Sequence, residues 1–144
     1  VPAGLEDVVQ IAAGDGHSLT LREDGKLVAW GRNNYGQSTV TAGLENVVQI
    51  AAGDYHSLAL REDGKVVAWG FGLGVGGQRI VLGGREDVVQ IAAGDGHFLA
   101  LRENGKVVAW GTNDNGESSV PVGLEDVVQI SAGQKHSLAL KRKP

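Results

Sequence analysis

The sequence predicts an all-β fold, a β-propeller of four-stranded antiparallel blades, and three observations carry that expectation. Val8-Val9-Gln10-Ile11-Ala12-Ala13-Gly14 returns at Val47 to Gly53, at Val88 to Gly94 and, with Ser131 for the first alanine, at Val127 to Gly133. The histidines keep the same beat, with His17, His56, His97 and His136 standing 39 or 41 residues apart. A fixed period of this length marks one supersecondary unit stacked on copies of itself. Glycine and turn residues also interrupt the chain too often for helices, and the runs between them are rich in Val, Ile, Leu and Trp.

Each unit reads as four short strands. In the first unit these are Val8 to Ala12, Ser18 to Arg22, Lys26 to Trp30 and Gln37 to Thr41. Glu23-Asp24-Gly25 joins the second to the third, and it returns as Glu62 to Gly64 and as Glu103-Asn104-Gly105. Asp-Gly and Asn-Gly supply the positive φ that a tight hairpin turn needs. Leu27-Val28-Ala29-Trp30 is apolar on both faces, and Val8-Val9-Gln10-Ile11 nearly so. A sheet of that kind must be covered on both sides, and four-stranded sheets packed face to face on their copies make propeller blades. Ala-Ala-Gly at the end of the first strand fits the innermost position, where little room is left for side chains. The whole chain is one repeat array, with units over about 4–42, 43–83, 84–122 and 123–140, three full blades and a half blade.

Gly14-Asp15-Gly16-His17-Ser18-Leu19, Asp24-Gly25-Lys26-Leu27-Val28-Ala29-Trp30-Gly31 and Asn34-Tyr35-Gly36-Gln37 follow one another in fixed order. In these motifs the chain resembles the regulator of chromosome condensation (RCC1) repeat family, in its short bacterial form, over practically its whole length. The resemblance implies a β-propeller, typically seven-bladed, that works as a protein-interaction surface. The departure is length: four inner strands are present but only three Val-Ala-Trp strands. Open sheet edges invite pairing, so a homo-oligomer is expected, two copies closing the propeller ring as a dimer. The alternative is the C-terminal piece of a longer propeller.

Composition removes several functions. With no cysteine there is no disulfide framework, thiolate zinc site or cysteine nucleophile. No apolar run approaches the roughly 18–20 residues of a membrane span, so no membrane partner is expected. A net charge of −4 argues against general nucleic-acid affinity, and Lys141-Arg142-Lys143 reads as a solvated tail. A secreted or cell-surface bacterial setting is expected ahead of a cytoplasmic one.

The repeated polar residues read as scaffold. Equivalent atoms on neighbouring blades should lie roughly 10 Å apart, whereas the ligand atoms of one zinc ion lie within about 4 Å of each other. The four histidines therefore hold no metal and are expected to hydrogen-bond backbone at their turns. The same spacing separates Asp15, Asp54 and Asp95, which read as turn residues. Gly72-Leu73-Gly74-Val75-Gly76-Gly77 has the G-x-G-x-x-G form, but a dinucleotide site needs a helix to follow. Gln78-Arg79-Ile80-Val81 instead aligns with a fourth strand, so no cofactor is expected. Trp30, Trp69 and Trp110 recur in every full unit and read as packing between blades. A catalytic group has to differ from its repeats, and no Ser-His-Asp arrangement does so; the protein is expected not to be an enzyme.

Binding belongs where the copies disagree. The loop after the tryptophan reads Arg32-Asn33-Asn34-Tyr35 in the first unit and Thr112-Asn113-Asp114-Asn115 in the third. In the second it begins at Phe71, is two residues longer and has no asparagine. The turn before the histidine carries Gly16, Tyr55, Gly96 and Lys135 in turn. Both loops emerge on one face of an up-and-down blade, and loops on a rigid scaffold are the usual place for binding. Tyr35, Tyr55 and Phe71 are expected to form a patch that anchors a protein partner, with Asn33, Asn34, Asp54 and Leu73 around it. A lectin-like propeller and a self-assembling structural or engineered repeat fragment are the alternatives.

Overall fold

The computed structural model describes residues 1–71, 78–81 and 87–143, and every regular element among them is a β-strand. The first unit contains β1 (Val8–Ala13), β2 (His17–Arg22) and β3 (Leu27–Gly31). The second contains β4 (Val47–Ala52), β5 (His56–Arg61), β6 (Val66–Gly70) and β7 (Gln78–Val81). The third contains β8 (Val88–Ala93), β9 (His97–Arg102) and β10 (Val107–Gly111), and the last β11 (Val127–Ala132) and β12 (Ser137–Lys141). Strands pair antiparallel with their neighbours in sequence, giving sheets of three, four, three and two strands.

The hairpins form as their turn chemistry requires. Gly25, Gly64 and Gly105 take φ of +77°, +80° and +78°, and Asp24, Asp63 and Asn104 each accept the amide two residues on at 3.1 Å. The doubled valine of the inner strand has a different cause from two-sided burial. Register slips between Val8 and Gln10, and likewise in β4, β8 and β11. The residue in the bulge, Val9, Val48, Val89 or Val128, is 45–62% exposed, while Val47, Val88 and Val127 beside it are buried.

Among the described residues the expected fourth strand forms in the second unit alone, where β7 pairs with β6. In the first unit 37–41 is turn, bend and irregular chain, because side chains claim the backbone first. Asn33 Oδ1 accepts the Ser38 amide at 2.9 Å, Ser38 Oγ donates to the Arg32 carbonyl at 2.7 Å, and Asn33 Nδ2 donates to Thr39 Oγ1 at 2.8 Å. Asn113, Ser118 and Ser119 repeat the set in the third unit. Local bonds of this kind compete with a sheet ladder, and the second-unit loop has no asparagine to make them.

Blades pack face to face through three apolar layers. Leu19 and Leu21 meet Val47, Ile50 and Trp69; Leu58 and Leu60 meet Val88, Ile91 and Phe98; Leu99 and Leu101 meet Val127 and Ile130. At the inner ends the sheets converge so closely that a Cβ on Gly14 would strike the Gly53 carbonyl, one on Gly53 the Gly94 carbonyl, and one on Gly94 the Gly133 carbonyl.

Candidate functional site

The loops at one end of the sheets stand on paired glycines. Gly31 and Gly70 end β3 and β6 with φ of +108° and +112°, and a Cβ there would press on the backbone of Gly16 and Tyr55. That close approach lets Arg32 N donate to the Gly16 carbonyl at 2.7 Å and Phe71 N to the Tyr55 carbonyl at 2.9 Å. Tyr55 and Phe71 are thus clamped side by side by backbone.

Tyr35 reaches them from the preceding unit. Its ring lies 5.3 Å from Tyr55 and 4.7 Å from Phe71, and those two lie 6.3 Å apart, all edge to face. Its loop is fixed from below: Tyr35 N donates to Oε1 of fully buried Gln37 at 2.9 Å. Tyr35 is 44% and Phe71 58% exposed. The Arg32 guanidinium lies 5.9 Å over the Tyr55 ring and pairs with Asp15 at 3.7 Å. The other inter-unit junctions carry glycine, threonine, asparagine or lysine at the equivalent positions, so the aromatic trio occurs where the first unit meets the second.

The expected rim divides. Asn34 is exposed, but the Asn33 amide is consumed in holding its own loop. Leu73 lies outside the described residues. Asp54 lines a cavity of about 690 Å³ whose walls include Tyr55, Phe71, Asp95, Asp114 and Lys135. Sequence reasoning did not place Asp95, Asp114 or Arg32 here; the loop alignment that singled out Tyr35 and Phe71 held the signal for Arg32 and Asp114.

Asp15, Asp54 and Asp95 are closer than blade spacing suggested. Asp54 N donates to the Asp95 carbonyl at 3.3 Å. Burial raises the Asp54 carboxyl above its ordinary pKa, and the charges of Asp95 and Asp15 and a hydrogen bond with Asp95 raise it further. Roughly 10 Å describes sheets packed at mid-strand, whereas these residues sit where the blades converge.

The histidine side chains are expected to bond backbone at their own turns, but there only the histidine carbonyls are bonded, to Gly14, Gly53, Gly94 and Gly133, and the rings of His17, His56 and His97 face the next blade instead. His17 Nε2 meets Ser57 Oγ of the next blade at 2.8 Å, and His97 Nε2 meets Ser137 Oγ at 3.0 Å. Ser57 Oγ and Trp69 Nε1 both donate to the Gln37 carbonyl at 2.9 Å, closing a four-residue node. At the middle junction Phe98 stands in place of the serine, its ring 4.1 Å from His56. His56 Nε2 and Trp110 Nε1 are left buried without a partner among the described residues. Burial, then the nearby His17 and His97, hold His56 down at about 3. Among the described residues no three His, Asp or Glu side chains group so as to hold a metal ion.

Residues 8–37, 47–73 and 88–117, more than half of the chain, match the regulator of chromosome condensation (RCC1) repeat. A 40-residue stretch is 48% identical to the guanine nucleotide exchange factor SRM1 of Saccharomyces cerevisiae, covering 28% of this chain and 8% of that protein. A chain in the crystal structure of Kap60 bound to yeast RCC1 (Prp20) superposes with a TM-score of 0.81 at 25% identity, over 98% of this chain and 43% of that one. The crystal structure of Prp20p from Saccharomyces cerevisiae gives 0.80 at 26%, over 94% and 42%. The ectodomain of the Physcomitrella patens receptor kinase CR4 gives 0.80 at 27%, over 98% and 40%. The chain spans about two fifths of these solved structures and a much smaller share of the exchange factor. Its repeated strands, its inter-blade junctions and these matches agree: the chain belongs to the RCC1 repeat family and has that family's β-propeller fold.

Proposed function

We propose that this chain is a non-enzymatic protein-binding module that holds a partner protein through the loop face carrying Tyr35, Tyr55 and Phe71. The observation that carries the reading is the aromatic trio itself. Three rings from two units converge on a rigid blade edge and stay partly exposed, as interface anchors do. Asn34 and Asp54 flank them, and Asp54, Asp95 and Asp114 give the adjoining cavity an acidic wall. The face therefore suits a partner that presents an apolar anchor beside a basic side chain. The solved relatives include one bound to Kap60 and one described by its binding to Gsp1p and histones, which favours a protein partner here. A second reading, nucleotide exchange on such a partner, rests on the 40-residue match to the exchange factor alone. A second copy of the chain is a further partner in this reading.

The test is replacement of Tyr35, Tyr55 and Phe71 by alanine together. Partner capture from a cell extract should be lost while melting temperature and particle mass stay unchanged. Loss of the oligomer would assign the patch to self-association instead. Repeated weak sites between blades on a glycan array would favour a lectin.

A further inference from the structure

Where the first unit meets the second, one carbonyl serves two donors: Ser57 Oγ and Trp69 Nε1 both reach the Gln37 carbonyl at 2.9 Å. At the next junction neither half of that arrangement survives. Phe98 replaces the serine, and Gln78, which aligns with Gln37, is taken up into β7. Trp110 Nε1 and His56 Nε2 are left buried and without partners among the described residues. An indole N–H can only donate, and a buried donor without an acceptor is costly.

Both side chains line the cavity of about 690 Å³ that opens over the second and third units, a size within the range of ordinary ligand pockets. The space is open because Gly96 and Thr112 stand where Tyr55 and Phe71 stand one unit earlier. Its walls are of two kinds. Tyr55, Phe71, Phe98 and Trp110 make an aromatic side. Asp54, Asp95, Asp114 and Glu117 make an acidic one, with Lys135 as the one cation on it among the described residues. Buried Glu117 is already committed to Thr112 Oγ1 at 3.3 Å and to the Asn115 amide at 2.7 Å, which leaves the three aspartates for a ligand. Burial holds His56 at about 3, so its ring is neutral and does not repel a cation.

A planar cation suits both sides at once. A guanidinium stacks on aromatic faces and donates in pairs to carboxylates, where an ammonium acts as a point charge. The orphaned Trp110 donor adds the requirement of a carbonyl close to that cation, and an arginine residue within a peptide carries both. We propose that this cavity binds an arginine residue of a partner protein, its guanidinium against Asp54, Asp95 and Asp114 and its main-chain carbonyl accepting from Trp110 Nε1. That carbonyl takes the place which the Gln37 carbonyl holds at Trp69. The inference rests on the partner-binding reading for the source of the arginine and names the residue that such a partner inserts.

The test is a titration of the full chain with acetyl-arginine N-methylamide, following the Trp110 indole N–H by NMR. A saturable shift of that signal is expected, with the Trp69 indole unmoved. N-methylguanidinium, which lacks the carbonyl, should bind at least tenfold more weakly. Acetyl-alanine N-methylamide, which lacks the cation, should give no saturable shift. Asp95→Asn combined with Asp114→Asn should weaken binding of the blocked arginine at least tenfold while strand circular dichroism and melting temperature hold. Lys135→Gln, at an exposed position, should tighten it, and this variant keeps the test decisive were the double variant to unfold. No saturable shift with the blocked arginine, an equal response to the blocked alanine, a folded double variant that binds as the wild type does, or a Lys135→Gln chain that binds no tighter overturns the proposal. The titration needs no partner protein, so a shift without partner capture counts against the partner-binding reading alone, and capture without a shift against this one.

Discussion

His56 and Phe98 sit at the one internal junction where a repeated hydrogen-bond node is replaced by a ring stack, and that exchange makes the middle of the molecule acid-sensitive. His56 is 2% exposed and titrates near 3 when folded, against about 6.5 unfolded. Between those values the unfolded chain binds the additional proton. Stability is therefore full above about pH 6.5 and falls with acidification, by up to about 1.4 kcal/mol per pH unit, levelling near pH 3. Burial lowers His17 and His97 in the same direction; Asp54, raised rather than lowered, acts in the opposite sense. The melting temperature should drop between about pH 7.5 and about pH 4.5, and His56→Leu should flatten that slope. Phe98→Ala should cost about 3–5 kcal/mol. Phe98→Ser should cost less, since its hydroxyl can meet His56 as Ser57 meets His17; equal losses in urea unfolding would refute the node.

At the scale of the strand, the inner glutamines join one sheet to the next. Gln49→Ala leaves the Ile91 amide without its acceptor, in a residue only 4% exposed. A loss of about 1–3 kcal/mol is expected in denaturant unfolding, well above the change at an exposed glutamine such as Gln129. Strand periodicity and turn chemistry were legible in the residues: the twelve strands among the described residues fall on the expected runs, and Asp24-Gly25, Asp63-Gly64 and Asn104-Gly105 each make their hairpin. What periodicity missed was local competition. Nothing in Gln37-Ser38-Thr39-Val40-Thr41 forbids a strand, and it is Asn33, four residues earlier, that folds it into turns. Likewise the Val-Val pair looks like a doubly covered strand until the bulge turns one valine outward.

For the whole molecule, each blade depends on its neighbours, so the same substitution has different costs at different places. Leu58→Ala should cost about 2–5 kcal/mol at any protein concentration, because Leu58 is fully buried within one chain. Leu138→Ala should change the stability of a lone chain by no more than about 0.5 kcal/mol, since that residue is 59% exposed. Urea unfolding of each variant against the wild type checks both values. The aromatic patch was legible as three unrepeated residues in two aligned loops. Its geometry was not, because contact between Tyr35 and the Tyr55–Phe71 pair depends on how close two blades stand, a distance no single unit encodes.

By itself the sequence determined the period, the strands, the hairpins and the packing of repeated faces, all of which follow from interactions within about forty residues. Tertiary structure alone decided which polar atoms meet across blades. It brought Gln10 to Ile50, His17 to Ser57 and Asp54 to Asp95, and left His56 without a serine. The physical reason is convergence: sheets that stand apart at mid-strand close on each other at their inner ends, so residues one full repeat apart become neighbours there.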